Sequence, residues 1–259
     1  MNSSKKVSYF MVIETSDYLH RLEANQFNLF TQKLHNGISK VLRSFKAKIL
    51  LHNDNTYHVA FNSVSNCIFC ALKIQSNFKY ITPKFDKSIR QLKIGITRNS
   101  NGKEAEKLAV RICEVIKDQI VICNDVKHDY ETENKNSIIS KDQIKTLSTS
   151  DQHFITNLMD YVEIIWNDND FNISSFSKPL NYSKSQVYRK LIALTGKSPS
   201  TFIRDYRLRK AMNLMRNKKG YISEIAKKTG FKSGTYFSKC FKKQFGKSPS
   251  EYRMSQYDK

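Results

Sequence analysis

"SKSQVYRKLIALTGKSPS" (Ser183–Ser200) and "SGTYFSKCFKKQFGKSPS" (Ser233–Ser250) align without a gap and close on the same five residues, GKSPS. A stretch repeated at a fixed offset reports a structural unit used twice. Val187 falls on Phe237, Leu191 on Phe241 and Thr195 on Phe245, the i, i+4, i+8 recurrence of one buried helical stripe. Arg189 falls on Lys239. Each copy opens with a serine suited to cap a first turn. Each closes on a glycine suited to the left-handed position after a helix, with Ser-Pro ahead of the next one. Two capped helices, 184–195 and 234–245, are expected.

A second apolar segment precedes each copy: "FNISSFSKPLNYS" (Phe171–Ser183) and "YISEIAKKTGFKS" (Tyr221–Ser233). Ile225-Ala226 followed by Gly230-Phe231 has the spacing of a helix, a tight turn and a second helix. Phe176-Ser177 and Asn181-Tyr182 repeat it with one residue fewer before the second helix. Pro179 removes a backbone donor, so the first helix of that copy is expected to be short or kinked. Between the copies, "FIRDYRLRKAMNLMRNKKG" places Phe202, Tyr206, Leu208, Ala211, Leu214 and Met215 on one helical stripe. The expectation is an all-α domain with two tandem helix-turn-helix units.

On "RLRKAMNLM", "SEIAKKTGF", "TYFSKCFKKQFGKSPSEYR" and "SQVYRKLIALTGKSPSTFIR", residues 151 to 253 resemble the DNA-binding domain of the AraC/XylS transcription regulators. The resemblance implies a sequence-specific regulator in the cytoplasm, with double-stranded operator DNA and RNA polymerase as partners. One departure is Ser233-Gly234-Thr235, where relatives more often have an acidic residue, a variable residue and serine; Gly234 removes a side chain at a base-facing position.

An α-helix fits the major groove, where all base pairs are distinguishable, and presents its amino-terminal residues to base edges. Ser185, Tyr188 and Arg189 on the first helix, with Thr235 and Lys239 on the second, are the candidates for base contact. Arg189 has the fork for a guanine, and Tyr188 suits a thymine methyl or a phosphate. Lys184, Ser233, Tyr236, Ser238 and Lys242 are the candidates for phosphate contact, which positions a protein without reading sequence. The bland alternatives are a salt bridge for Arg189, surface shielding for Tyr188, packing for Tyr236 and plain solvation for the lysines. Val187, Leu191, Phe237 and Phe241 belong to the core.

Composition agrees. The 259 residues hold 44 Lys+Arg against 23 Asp+Glu, a net charge of +21, with both halves basic. Such an excess favours polyanions and says little about fold. "VSYFMVI" (Val7–Ile13) is too short for a signal-peptide core, and no apolar run reaches the roughly 18 to 20 residues of a membrane span. Five cysteines, an odd number, fit reduced thiols. Cys67 and Cys70 form a CxxC, yet no second pair stands at zinc-site distance and "NCIFCALKI" reads as an apolar helix; packing is the expected role. Cys113, Cys123 and Cys240 also fall on apolar faces. No metal or cofactor is expected.

Residues 1–130 read differently. "VSYFMVI" is strand-like, and a helical stretch follows from about Tyr18 to Ser44. "KAKILLH" and "TYHVAFN" form a hairpin about "NDN", then come a helix from Val64 to Phe78, the strand "QLKIGIT", a helix from Glu104 to Ile116 and the strand "QIVIC". Helices against a mixed or antiparallel sheet make an α+β sandwich. On "HNDNTYHVAF", "ALKIQSNF", "LKIGIT" and "EKLAVRICEVIKDQIVIC", residues 5 to 130 resemble the catalytic domain of class III nucleotide cyclases, which implies a ferredoxin-like sandwich.

That family holds divalent metals on two carboxylates and carries an Asn with an Arg four residues later on a helix. Asp54 matches one carboxylate and Arg111 the arginine. Lys107 stands in place of the Asn, the first strand should deliver an Asp near its end but reads Phe10-Met11-Val12-Ile13-Glu14, and the glycine-rich stretch after it is absent. Two-metal catalysis needs paired acidic ligands, so no catalytic residue is expected and the nucleotide cyclase is the alternative reading. Asp54 also suits a turn, and Arg111 a surface or interdomain charge. A domain used for homodimerisation, or for sensing a small-molecule effector, is expected. Residues 131–150, "ETENKNSIISKDQIKTLSTS", read as a linker with a brief helix near Ile138 to Leu147, ahead of the DNA-binding domain at 151–259.

Overall fold

The computed structural model describes residues 8–17, 24–53, 56–81, 90–100, 102–135, 139–171, 173–216 and 220–254. The chain forms two units, Met1–Thr156 and Asn157–Lys259. The first contains β1 (Tyr9–Asp17), α1 (Ala24–Ser44), β2 (Lys48–His52), β3 (Thr56–Phe61), α2 (Val64–Ile81), β4 (Arg90–Arg98), α3 (Lys103–Val115), β5 (Ile120–Cys123), α4 (Asn124–Glu133) and β6 (Lys145–Leu147). Among the described residues the strands form one mixed sheet in the order β2-β3-β1-β4-β5-β6. The β1–β3, β1–β4 and β2–β3 pairs are antiparallel; β4–β5 and β5–β6 are parallel.

Burial follows from the strand period. Tyr57, Val59 and Phe61 point inward from β3 while Thr56, His58 and Ala60 are half-buried, the alternation of side chains to opposite faces. On β1 and β5 the run is continuous: Met11, Val12 and Ile13, and all four residues of β5, are buried. Strands covered on both faces read this way. The α1 and α2 helices pack on each other, and α4 packs on α2, with Tyr130 edge-on to Phe69. The opposite face carries α3, whose Ala109 and Cys113 pack on Val12. Gly95 permits that approach, because a Cβ there would lie 2.5 Å from the Ala109 carbonyl oxygen.

Two elements depart from expectation. The segment 131–150 is not a linker throughout: α4 runs to Glu133, and in place of the expected helix β6 pairs with β5 in parallel, with Ile139, Ile144 and Leu147 buried. The unit therefore extends past 130 to Thr156. The α4 helix, absent from the sequence reading, buries only Val126 and Tyr130. Two apolar positions in "NDVKHDYETE" are too few for a visible period.

The α5 helix (Thr149–Ile165) leads out of the first unit at Thr156. The second unit is helical: a 3₁₀ turn (Ile173–Phe176), α6 (Ser177–Leu180), α7 (Lys184–Thr195), α8 (Pro199–Arg216), α9 (Ile222–Lys228), α10 (Gly234–Phe245) and α11 (Pro249–Met254). With Pro179 as its third residue, α6 is indeed short. Phe237, Phe241 and Phe245 pack in series, with ring centroids 5.7 and 4.6 Å apart. No helix among the described residues is long and apolar enough to cross a membrane.

Candidate nucleic-acid interface

The repeat in the sequence is a repeat in hydrogen bonds. Asn181 and Gly230, the turn residues after α6 and α9, both have left-handed backbones, with φ of 60° and 80°. The Asn181 amide donates to the Lys178 carbonyl and the Tyr182 amide to that of Ser177, each at 3.2 Å. In the second copy Gly230 donates to Lys227 at 3.1 Å and Phe231 to Ala226 at 3.0 Å. The two turns thus share an i−3 and an i−5 bond. Asparagine and glycine are the residues that tolerate this conformation, asparagine through its short polar side chain.

The following helices are capped as their serines require. The Ser183 hydroxyl accepts the Gln186 amide and Gln186 Oε1 accepts the Ser183 amide, a reciprocal capping box. The Ser233 hydroxyl accepts the Tyr236 amide at 3.2 Å. At the far ends Gly196 (φ 72°) and Gly246 (φ 78°) donate to Ile192 and Lys242, and α8 and α11 start at Pro199 and Pro249. Val187, Leu191, Thr195, Phe237, Phe241 and Phe245 are all buried. The threonine is accommodated because its hydroxyl donates to the Leu191 carbonyl at 2.7 Å.

Burying that stripe turns the opposite face outward. Ser185, Tyr188 and Arg189 are exposed on α7, and Thr235 and Lys239 on α10. Of the phosphate candidates Lys184, Ser233, Tyr236 and Lys242 are exposed and Ser238 is half-buried. Nothing lies within 4 Å of the position a Gly234 Cβ would take, so that point of the α10 surface is open. Tyr236 has two environments: its ring leans on Phe231, and hydrogen bonding to Cys240 raises its phenol pKa. The Ser233 hydroxyl already holds the cap, leaving it less free for phosphate than the sequence implied.

Two groups escaped sequence reading. Arg207, on α8, donates Nε to the Trp166 carbonyl at 2.7 Å, Nη1 to Gly230 at 2.8 Å and Nη2 to Asp168 at 2.6 Å. It ties the turn before α10 to the end of α5. Asp205, nearly buried, takes Lys197 at 2.8 Å and Arg204 at 3.0 Å, and so links the GKSPS segment after α7 to α8. In the sequence both are merely charges in a basic helix.

Of the three cyclase-matched positions, two lie among the described residues. Asp54 lies outside the described residues; the Asn53 side-chain oxygen accepts the Thr56 amide at 2.9 Å. Lys107 is exposed on α3. Arg111 is not a surface charge: it is 2% exposed, and its Nη1 donates to the Thr156 carbonyl at 3.1 Å. Among the described residues no three His, Cys, Asp or Glu side chains are placed to hold a metal. Cys67 and Cys70 are free and fully buried in α2, and burial pushes their thiols up, that of Cys70 to about 12. Packing, rather than thiolate chemistry, follows.

Residues 176–255 match the family described as a helix-turn-helix domain, and this segment is an AraC-type helix-turn-helix domain. Histidine kinase P4 of Formosa agariphila is 36% identical over 108 residues, 42% of this chain and 8% of that protein. The HTH-type transcriptional regulator MtrA of Neisseria gonorrhoeae is 34% identical over 101 residues, 39% of this chain and 32% of that protein. This chain thus spans at most a third of the length of these relatives. Among solved structures, the non-canonical dimeric guanylyl cyclase domain of the RhoGC fusion protein from Blastocladiella emersonii is similar with a TM-score of 0.42 at 10% identity, over 49% of this chain and 84% of that one.

Proposed function

We propose that this chain is a sequence-specific DNA-binding transcription regulator, in which α6–α7 and α9–α10 are two tandem helix-turn-helix units and α7 and α10 read successive major grooves. The observation that carries this reading is the duplicated turn: paired left-handed residues, paired hydrogen bonds and paired exposed faces. A face with Tyr188 and Arg189 on one copy and Thr235 and Lys239 on the other suits base edges. The lysines flanking it suit phosphates. The similarity to HTH-type transcriptional regulators supports the same reading. DNA, RNA polymerase and the cytoplasm follow as partners and place of action.

The amino-terminal unit serves regulation, through pairing of chains or binding of a small effector. Its order β2-β3-β1-β4 with α1 and α2 as crossovers supports a ferredoxin-like, cyclase-like sandwich. Fluorescence anisotropy of the full chain on duplexes of varied sequence, titrated with salt, tests the proposal. Base reading gives affinities that differ between sequences, and phosphate contacts give a steep fall with salt. A uniform affinity for every duplex would leave only a polycation.

A further inference from the structure

The amino-terminal unit contains a cavity of about 280 Å³ that the DNA-reading surface does not involve. Arg98, Ser100, Glu104, Asp125, Gln152 and His153 supply its polar lining, and all six belong to the first unit. Its position follows from topology. The β4 strand ends at Arg98 and β5 at Cys123, and the two are parallel neighbours. The chain leaves β4 for α3 on one face of the sheet and leaves β5 for α4 on the other. Where the helices after adjacent parallel strands part to opposite faces, a crevice opens beyond the strand ends, and open α/β sheets bind ligands there. The volume falls just short of the about 300 to 1,000 Å³ of drug-sized ligand pockets and so suits a small ligand.

The lining charges give the chemistry. Arg98 is already engaged, its Nε 3.2 Å from Asp129 Oδ2, which also accepts the Tyr9 hydroxyl at 2.9 Å. Glu104, in the first turn of α3, and Asp125, in the first turn of α4, remain. Asp125 Oδ1 accepts the Val126 amide at 3.0 Å, and burial outweighs that bond and the nearby Arg98 to leave its carboxyl pKa raised. Carboxylates therefore outnumber the guanidinium here, against a net charge of +21 for the chain.

We propose that this cavity binds a small molecule carrying a protonated amine, with Glu104 and Asp125 receiving the ammonium group and Ser100, Gln152 and His153 the rest of the molecule. The site gives a location to the effector role proposed for this unit, and it is tested without DNA, so that either reading can fail alone.

The experiment is calorimetry of the full chain with putrescine, agmatine and glucosamine as amine probes, and acetate and inorganic phosphate as anion controls. At least one amine binds saturably at one site, and neither anion does. Glu104→Gln, on an exposed position, and Asp125→Asn, which keeps the oxygen that accepts the Val126 amide, each weaken binding by about tenfold or more, the loss of one charge-assisted hydrogen bond. Glu131→Gln, which removes an α4 carboxylate 3.6 Å from Lys127, leaves binding unchanged. The proposal is overturned if no amine saturates, if phosphate or acetate occupies the site instead, or if all three variants bind alike.

Discussion

Arg207 Nη1 donates to the Gly230 carbonyl at 2.8 Å, and a Cβ on Gly230 would lie 2.7 Å from the Arg207 guanidinium carbon. The turn ahead of α10 thus has no room for a side chain, and its φ of 80° also disfavours one. Gly230→Ala is expected to destabilise the second unit by at least the cost of a left-handed alanine, about 1 to 2 kcal/mol, and to weaken DNA binding by shifting α10. Urea unfolding followed by the single tryptophan, Trp166, measures the first effect. An unchanged midpoint would contradict both the steric argument and the cost of the left-handed backbone.

Arg189 is exposed on α7. Under the base-reading proposal Arg189→Ala costs about 1 to 3 kcal/mol on a preferred duplex and relaxes preference at one base pair. Anisotropy on matched and mismatched duplexes separates this from phosphate contact, in which every sequence loses equally.

Gly95 lets α3 lie against the sheet. Gly95→Ala places a methyl against the Ala109 carbonyl and Ile112, and the overpacking is expected to cost about 1 to 3 kcal/mol. Thermal unfolding should show a lowered transition for the first unit and an unmoved one for the second.

Asp125 carries a pKa raised mainly by burial. For an acid whose folded pKa exceeds the unfolded one, the protonated form is favoured by folding. Stability is intact below the unfolded value of about 4 and declines as pH rises through the folded pKa. Asp125→Asn should therefore be more stable than the parent at neutral pH, with the difference vanishing in acid. Denaturant midpoints across that range check it; a difference that grows in acid has the wrong sign.

The repeated helices were legible because each carries its own signals: a serine cap, an apolar stripe, a terminal glycine and Ser-Pro. The turn before α7 was readable chiefly by its alignment with Gly230, since asparagine adopts the left-handed conformation less often than glycine. The β3 strand was visible through its alternation and β1 and β5 as short apolar runs, and Gly95 was not, because its role is set by Ala109, distant in sequence. The β6 strand escaped because a three-residue edge strand in a polar segment has no period to see, and its pairing with β5 is nonlocal. Arg207 and Asp205 escaped for the same reason: charge type is written in the sequence, partner is not. Arg111 makes the same point: its burial and its bond to the Thr156 carbonyl are set by partners distant in sequence.

Selection of bound duplexes from a random pool tests the central claim most directly, because it asks whether two helices read one site. The account predicts two short enriched blocks about 10 base pairs apart, one helical turn, in an asymmetric arrangement, with preference relaxed at one base pair of the block read by α7 in Arg189→Ala. Recovery of no enriched sequence, of a single block, or of a pattern that Arg189→Ala leaves unaltered would contradict it.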